Sequence, residues 1–458
     1  MSNRRKFIKG LGATTILAAA SVKGLASESY IETRRILANK QFTLNDELQI
    51  GCIGMGIMGF ENVRTALKVP GVKMVAACDL YKGRLERSKE LFGKDLFVTE
   101  DYKALLARKD IDAVIVATSD QWHDIIANDA MRAGKAVYLE KPMVHKISQG
   151  KSIIDTAKAT GQVLQVGSQR VSSVVMAKAK ELYQAGEIGK ITCVEASFER
   201  HSANGAWQYT FPTDVSEQTV NWKRYLRDNK NLPFDPKKFF WWRNYKEFGT
   251  GVAGDLFVHL LSGIHFMTDS LGPTRIYSTG DLAYWKDGRN VPDIMTAILE
   301  YPQTDAHPPF QVQLRVNFTG TGDGHTRLYG TEGNIDLGWN DVVVHRAKFA
   351  KAPGYGGWDS FSTYPLAEQE KIKAEYYRKY KEGEDREPRL EDIKYAAPEN
   401  YDERLDHFIN LFEAMRNGKK VVEDASFGLR AAAPCLACND SYFQKKEINW
   451  DPVNMQVV

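Results

Sequence analysis

From residue 47 onward, apolar runs of strand length recur, each ending in glycine or a polar residue: LQIGCIGMG, VKMVAACDL, DAVIVATSD, AVYLEKP and GQVLQVGSQ. Stretches with helical spacing separate them, among them VRTALKV, RLERSKELF, YKALLAR, HDIIANDAMRAG and GKSIIDTAKATG. Runs this continuous belong to parallel strands covered on both faces, because a strand wetted on one side alternates. The pattern predicts a doubly wound α/β unit over residues 47–168. Beyond Gln169 the rhythm becomes period two, in RIYSTGDLAYW, IMTAILEYP, FQVQLRVNFT, HTRLYGTEGNIDLG and DVVVHR. Residues 169–458 therefore predict a second α/β domain with a large open, mostly antiparallel sheet and helices on its other side. Segments 202–245, dense in Trp, Tyr, Asn and Pro, and 350–400, dense in charge, read as insertions around that sheet.

Composition adds limits. With 43% hydrophobic and 26% charged residues the chain reads as an ordinary soluble globular protein, and its 458 residues suit two domains. Lys9 and Lys23 interrupt the first apolar stretch, so no run is long enough to span a bilayer. Residues 1–20 carry Arg4, Arg5, Lys6 and Lys9 and no acid; without them the formal charge of +3 becomes −1, which asks for no nucleic acid or anionic surface. Residues 1–27 read as a removable export signal of twin-arginine type, Arg4-Arg5-Lys6-Phe7-Ile8-Lys9, with cleavage after Ala18-Ala19-Ala20 or near Ala26. That places the protein in the periplasm or otherwise outside the cytoplasm, with the twin-arginine machinery as a partner. Five cysteines are too few for a disulfide scaffold. Cys435-Leu-Ala-Cys438 lacks a second pair or a His, so it reads as buried in a helix rather than as a metal site, with a disulfide as the next alternative.

The chemistry concentrates at strand ends. Gly54-x-Gly56-x-x-Gly59, with Ile57 and Met58 inside it, follows a strand and opens a helix, the context in which glycines let a backbone approach a pyrophosphate. Asp79, at the end of the second run, suits the adenosine ribose and favours NAD over NADP, with Lys82 and Arg84 nearby. The fourth and fifth runs end in ATSDQWH (Thr118, Trp122, His123) and LEKP (Glu140, Lys141), and the sixth in Gln169; all of them are expected to face the cofactor. Lys141 can hold a substrate hydroxyl and stabilise the alkoxide formed there; on position alone it also reads as a surface lysine. In GTGVAGDLFVHLLSGIHF, Asp255 and His259 stand i,i+4 and would share a helix face as an acid and a general base, although a core histidine fits the same pattern. His265 reads as structural.

The glycine fingerprint, EKP and GDLFVH together resemble the Gfo/Idh/MocA oxidoreductases, as do GEIGKI, WWRNY and GTEGNIDL. The resemblance spans the chain after the leader. It implies a Rossmann domain followed by an α/β domain whose sheet forms oligomer contacts, hence a homo-oligomer, and a catalytic group of Lys141, Asp255 and His259. It further implies hydride transfer between a ring carbon of a sugar or polyol and a nicotinamide cofactor, with His259 taking the proton and Asp255 setting its tautomer or binding an adjacent hydroxyl. Arg170, His201, Trp242 and Arg243 are the expected sugar contacts. Twin-arginine export carries folded proteins, so NAD can leave enclosed, and the resulting redox cycle is closed. One alternative is an NAD-dependent glycosidase of the α-N-acetylgalactosaminidase kind, which oxidises C3 transiently; those relatives do not keep the EKP lysine, so Lys141 favours the oxidoreductase. A non-catalytic sugar-binding protein is the other.

Overall fold

The computed structural model describes residues 47–229, 231–322 and 324–458. The export signal expected over residues 1–27 lies outside the described residues. The first domain runs β1 (Leu48–Ile53), α1 (Ile57–Ala66), β2 (Val72–Cys78), α2 (Lys82–Phe92), β3 (Phe97–Thr99), α3 (Tyr102–Leu106), β4 (Ala113–Val116), α4 (His123–Arg132), β5 (Ala136–Leu139), α5 (Gly150–Thr160) and β6 (Leu164–Val166). Its six strands pair in parallel in the order β3-β2-β1-β4-β5-β6. Every residue of β4 and β5 is buried, as continuous apolar runs require of strands with helices on both faces. β3, a three-residue edge strand, is too short to show a pattern of its own.

The second part begins with α6 (Val174–Gln184) and β7 (Ile191–Glu199), then α7 (Trp222–Tyr225), α8 (Pro236–Phe240) and α9 (Val258–Thr268). There follow β8 (Arg275–Asp281), β9 (Ile294–Tyr301), β10 (Phe310–Asn317), β11 (Thr326–Gly330), β12 (Gly333–Leu337), β13 (Asp341–Arg346), α10 (Leu366–Lys379), β14 (Ile393–Ala396), α11 (Glu403–Asn417), α12 (Ala425–Gln444), β15 (Ile448–Asp451) and β16 (Gln456–Val457). They build a ten-stranded sheet in the order β14-β13-β12-β11-β7-β10-β9-β8-β15-β16, antiparallel except between β7 and β10. β10 alternates buried and exposed positions along its length, as a sheet covered on one face dictates.

Two segments depart from the sequence expectation. Helix α11, read as part of the second domain, packs into the first: Phe408 and Phe412 join the core of Ile50, Ile115 and Tyr138. Residues 202–245, expected around the large sheet, meet that expectation only at their start, where Trp207 packs edge-on against Phe318 at 4.9 Å; the later part crosses the first domain. Tyr81 bridges Val220, and Asn221 N–H donates to the Leu80 carbonyl at 2.8 Å. The reason is aromatic: Trp222, Tyr225, Phe239, Phe240 and Phe248 share one buried cluster with Tyr81. Cys435 and Cys438 lie buried on α12 as free thiols, matching the structural reading. Among the described residues no helix is long and apolar enough to cross a membrane.

Candidate active site

The chain leaves β1 through Gly54, whose φ is +93° and where a Cβ would lie 2.5 Å from the Ala117 carbonyl oxygen, so only glycine closes this turn against the end of β4. At Gly59 a Cβ would meet the Gly54 carbonyl at 2.0 Å, so α1 packs directly on the turn. α1 starts without a side-chain cap or a first-turn acid, leaving its N-terminal N–H groups for an anion. Asp79, at the end of β2, accepts from the N–H of Met55 (2.7 Å) and of Tyr81 (2.9 Å), with the Arg84 guanidinium 3.5 Å away. Thr118 Oγ1, past the end of β4, is buried with no hydrogen-bond partner among the described residues. Gly54, Gly56, Ile57, Met58, Asp79, Thr118 and Trp122 line one cleft, which fits a dinucleotide: glycines and free N–H groups for the pyrophosphate, a carboxylate for the ribose.

Residues 202–248 close the outer side of that cleft. Tyr209, Tyr225, Phe239, Phe240, Trp242 and Arg243 complete its wall, and Arg84 lies 5.3 Å from the Phe240 ring centre. The segment is fastened by Arg227, which donates to both oxygens of Asp124 at 2.7 and 3.1 Å, and by Arg224, which pairs with Asp101 at 2.9 Å.

At the inner end Lys141 follows β5, with a cis peptide to Pro142. Its ammonium donates to Asp255 Oδ1 at 2.9 Å and to the Asp255 carbonyl at 3.0 Å, and the same Oδ1 accepts from Arg243 Nε at 3.1 Å. Burial alone would raise the Asp255 carboxyl, but the Lys141 and Arg243 charges outweigh it and hold it well below the usual carboxylate range. Asp255 sits in a π-helical turn, Ala253–Phe257, that precedes α9. Asp120 positions this helix, its Oδ2 accepting from Thr250 N (2.9 Å) and Oγ1 (2.8 Å).

Asp255 therefore does not set the His259 tautomer, one of the two roles that the family resemblance implied for it. No hydrogen bond joins them among the described residues: the wide turn sends the carboxylate to Lys141 and Arg243. His259 instead lines a cavity of about 580 Å3 with Arg170, Ser197, Phe198 and Trp339. Burial, reinforced by the Lys141 charge, lowers its pKa to about 3, so the imidazole is neutral near pH 7 and available as a proton acceptor.

Other expected cofactor contacts stand behind the cleft. Glu140 is buried and accepts from Asn62 at 2.8 Å; Gln169 donates to the Tyr138 hydroxyl at 2.7 Å. The ring nitrogens of His123 sit 2.8 Å from the Pro142 carbonyl and 3.3 Å from that of Thr118, joining the loops after β4 and β5 instead of facing a ligand. Gly59 and Lys141 likewise lie outside the cleft lining. Of the expected sugar contacts, Trp242 and Arg243 face the cleft and Arg170 the His259 cavity. His201 belongs to neither, being exposed with its Nδ1 2.8 Å from the Thr319 carbonyl. His265 is buried with Nε2 2.8 Å from the Tyr301 hydroxyl. Sequence reasoning placed Arg84 near Asp79 but missed Tyr209, in the cleft wall, and Arg200, whose charge acts on His259; their places depend on how the chain crosses over.

The family model described as the oxidoreductase family, NAD-binding Rossmann fold, matches residues 48–168, and the GFO/IDH/MocA C-terminal domain matches residues 219–336; together they span more than half of the chain. An α-N-acetylgalactosaminidase of Shewanella oneidensis is 27% identical over 246 residues, 50% of this chain and 51% of its own. An inositol 2-dehydrogenase of Salmonella paratyphi B is 27% identical over 176 residues, 38% of this chain and 52% of its own. The chain spans about half the length of these curated relatives. The crystal structure of an aldose-aldose oxidoreductase from Caulobacter crescentus complexed with glycerol shares the fold, with a TM-score of 0.61 at 15% identity over 88% of this chain and 99% of that one.

Proposed function

The chain belongs to the Gfo/Idh/MocA family of NAD-binding oxidoreductases, and from that premise we propose that it moves hydride between a ring carbon of a sugar or polyol and a retained nicotinamide dinucleotide. The observation that carries the reading is Lys141 fixed on Asp255, whose same oxygen also binds Arg243 of the cleft wall, with its charge acting on the neutral His259. When bound, the dinucleotide supplies the hydride acceptor. Lys141 holds the reacting hydroxyl oxygen and stabilises the negative charge that develops there. His259 accepts the hydroxyl proton. Asp255, itself bonded by Arg243, keeps the ammonium in place, and Trp242 lines the cleft. Asp79 supports NAD over NADP, because its carboxylate repels a 2′-phosphate.

Retention is supported by residues 202–248, which cover the cleft, and it is what export by the twin-arginine route would require of an enzyme working where no NAD pool exists. On this reading the hydride taken from one substrate is returned to another. Mass spectrometry of nucleotide released by denaturing the mature protein, with reduced-nicotinamide absorbance followed as sugars are added, tests the proposal. Retained NAD that one sugar reduces and a second reoxidises is expected. An empty protein that turns over only with excess added NAD overturns the closed cycle.

The likeness to the α-N-acetylgalactosaminidase favours a second reading, transient oxidation followed by elimination and re-reduction. Release of nitrophenol from nitrophenyl glycosides with no net change in the nucleotide would select it.

A further inference from the structure

We propose that the cavity beside His259 takes an anionic sugar, a uronate or sugar acid, with its carboxylate held by Arg170 and Arg200. This rests on the sugar-oxidoreductase reading and names its substrate class. Arg170 shares the cavity wall with His259. Its guanidinium donates to the Gly338 and Trp339 carbonyls and stacks 4.7 Å from the Trp339 ring centre, and it makes no ion pair among the described residues. Arg200 stands one residue past β7, whose Phe198 ring meets His259 edge-on at 6.4 Å. Its only side-chain partner among the described residues is the Phe318 ring, 5.9 Å away.

Two other half-buried arginines are matched by carboxylates, Arg227 by Asp124 and Arg243 by Asp255. The acids near the cavity are committed elsewhere. Asp255 serves Lys141 and Arg243, Asp120 serves Thr250, Glu140 serves Asn62, and Glu199 pairs with Arg315. Glu403 is the one acid whose charge acts on Arg170, and it forms no ion pair with it. Arg170 in the cavity wall and Arg200, whose charge acts on His259, are two half-buried guanidiniums with no ion pair among the described residues, and together they form a site complementary to an anion, because charge-assisted pairs are the strong ones and uncompensated buried charge is costly. The arrangement also serves the chemistry. Burial, Lys141, Arg170 and Arg200 all disfavour protonation of His259, and a bound carboxylate offsets the cationic part of that bias when a base is needed.

The test uses the mature protein with its nucleotide. Binding of D-glucuronate, D-galacturonate, D-glucose and D-galactose is measured by calorimetry, and their turnover by nicotinamide absorbance, at low and high ionic strength. A uronate should bind about tenfold or more tighter than its neutral hexose, with the preference shrinking as salt rises. Arg200→Gln, which removes no side-chain hydrogen bond among the described residues, should narrow that ratio to below about threefold; Arg170→Gln is the second variant. Equal binding of hexose and uronate, or a preference that survives both substitutions, overturns the anion site. Uronate binding without reduction of the nucleotide supports the anion site and overturns the oxidoreductase reading. Turnover of neutral hexoses without preference does the reverse, and failure of all four sugars to bind or react overturns both.

Discussion

Lys141 connects the two halves of the site, so its removal separates binding from chemistry. It lies outside the cleft lining, and in the proposed reaction its ammonium, bonded to Asp255, is the donor to the reacting oxygen. Lys141→Met should leave nucleotide copurifying and cut kcat/KM by about 10^2- to 10^3-fold, the usual cost of one donor to a developing oxyanion. Loss of nucleotide with unchanged turnover per bound nucleotide would assign Lys141 to binding. Glu423 gives a second single-residue prediction, in stability. It is fully buried beside Ser168, and burial raises its pKa well above the usual 4.5. Above pH 4.5 the unfolded chain loses this proton while the folded chain keeps it, so the group subtracts stability as pH rises. Glu423→Gln should match the parent near pH 4 and melt higher with each unit toward pH 8; an offset independent of pH in calorimetry would refute the assignment. The sequence signalled Gly54, Asp79 and Lys141 through local spacing. Arg200 and Tyr209 carried no such signal, because only the folding together of segments distant in the chain brings Arg200 within charge reach of His259 and Tyr209 within reach of Arg243.

At the scale of elements, the segment 202–248 is a clasp over the dinucleotide cleft, and its rivets can be loosened one at a time. Arg227 and Asp124 form a two-bond pair with both side chains 13% exposed. Such a charge-assisted pair contributes on the order of 1.5–3 kcal/mol. Arg227→Ala should speed nucleotide dissociation by about tenfold or more, measured by dilution into a scavenging dehydrogenase. An unchanged rate would mean that the segment covers the cleft without holding its contents. The turn beneath the clasp is less forgiving. Gly59→Ala places a methyl carbon 2.0 Å from a backbone oxygen that no side-chain rotation can move, so the variant should lose nucleotide and melt lower than the parent. These elements were unequally legible. The strand-to-helix turn is local, so its glycines announced it. The clasp is aromatic loop whose composition says that it packs, not on what, and the π turn carrying Asp255 leaves no mark in a helical spacing.

The whole molecule is less divisible than its sequence suggests. The change of rhythm near residue 168 marks a real change of sheet, from six parallel strands to ten mostly antiparallel ones. It does not mark the limit of a core, because α11, more than two hundred residues downstream, returns to the first sheet. Phe408 stacks on Tyr138 at 4.4 Å, Gln165 donates to the His407 carbonyl at 2.7 Å, and His407 Nε2 lies 2.8 Å from the Val166 carbonyl. An amphipathic helix shows in sequence that one face is buried, but the pattern is silent about which sheet receives it. Leu405, Phe408, Leu411 and Phe412 are all buried there. At about 1.5–3 kcal/mol for each large apolar side chain withdrawn from water, α11 contributes on the order of 6–12 kcal/mol, comparable with the roughly 5–15 kcal/mol that stabilises a whole domain. Residues 47–168 alone, although they include β1 to β6 and the complete glycine turn, should therefore fail to fold and fail to bind NAD. A fusion that restores residues 400–420 through a flexible linker should recover part of both, read by circular dichroism and nucleotide titration. A stable, NAD-binding fragment of residues 47–168 would show that the first domain stands on its own strands and that α11 merely docks on it.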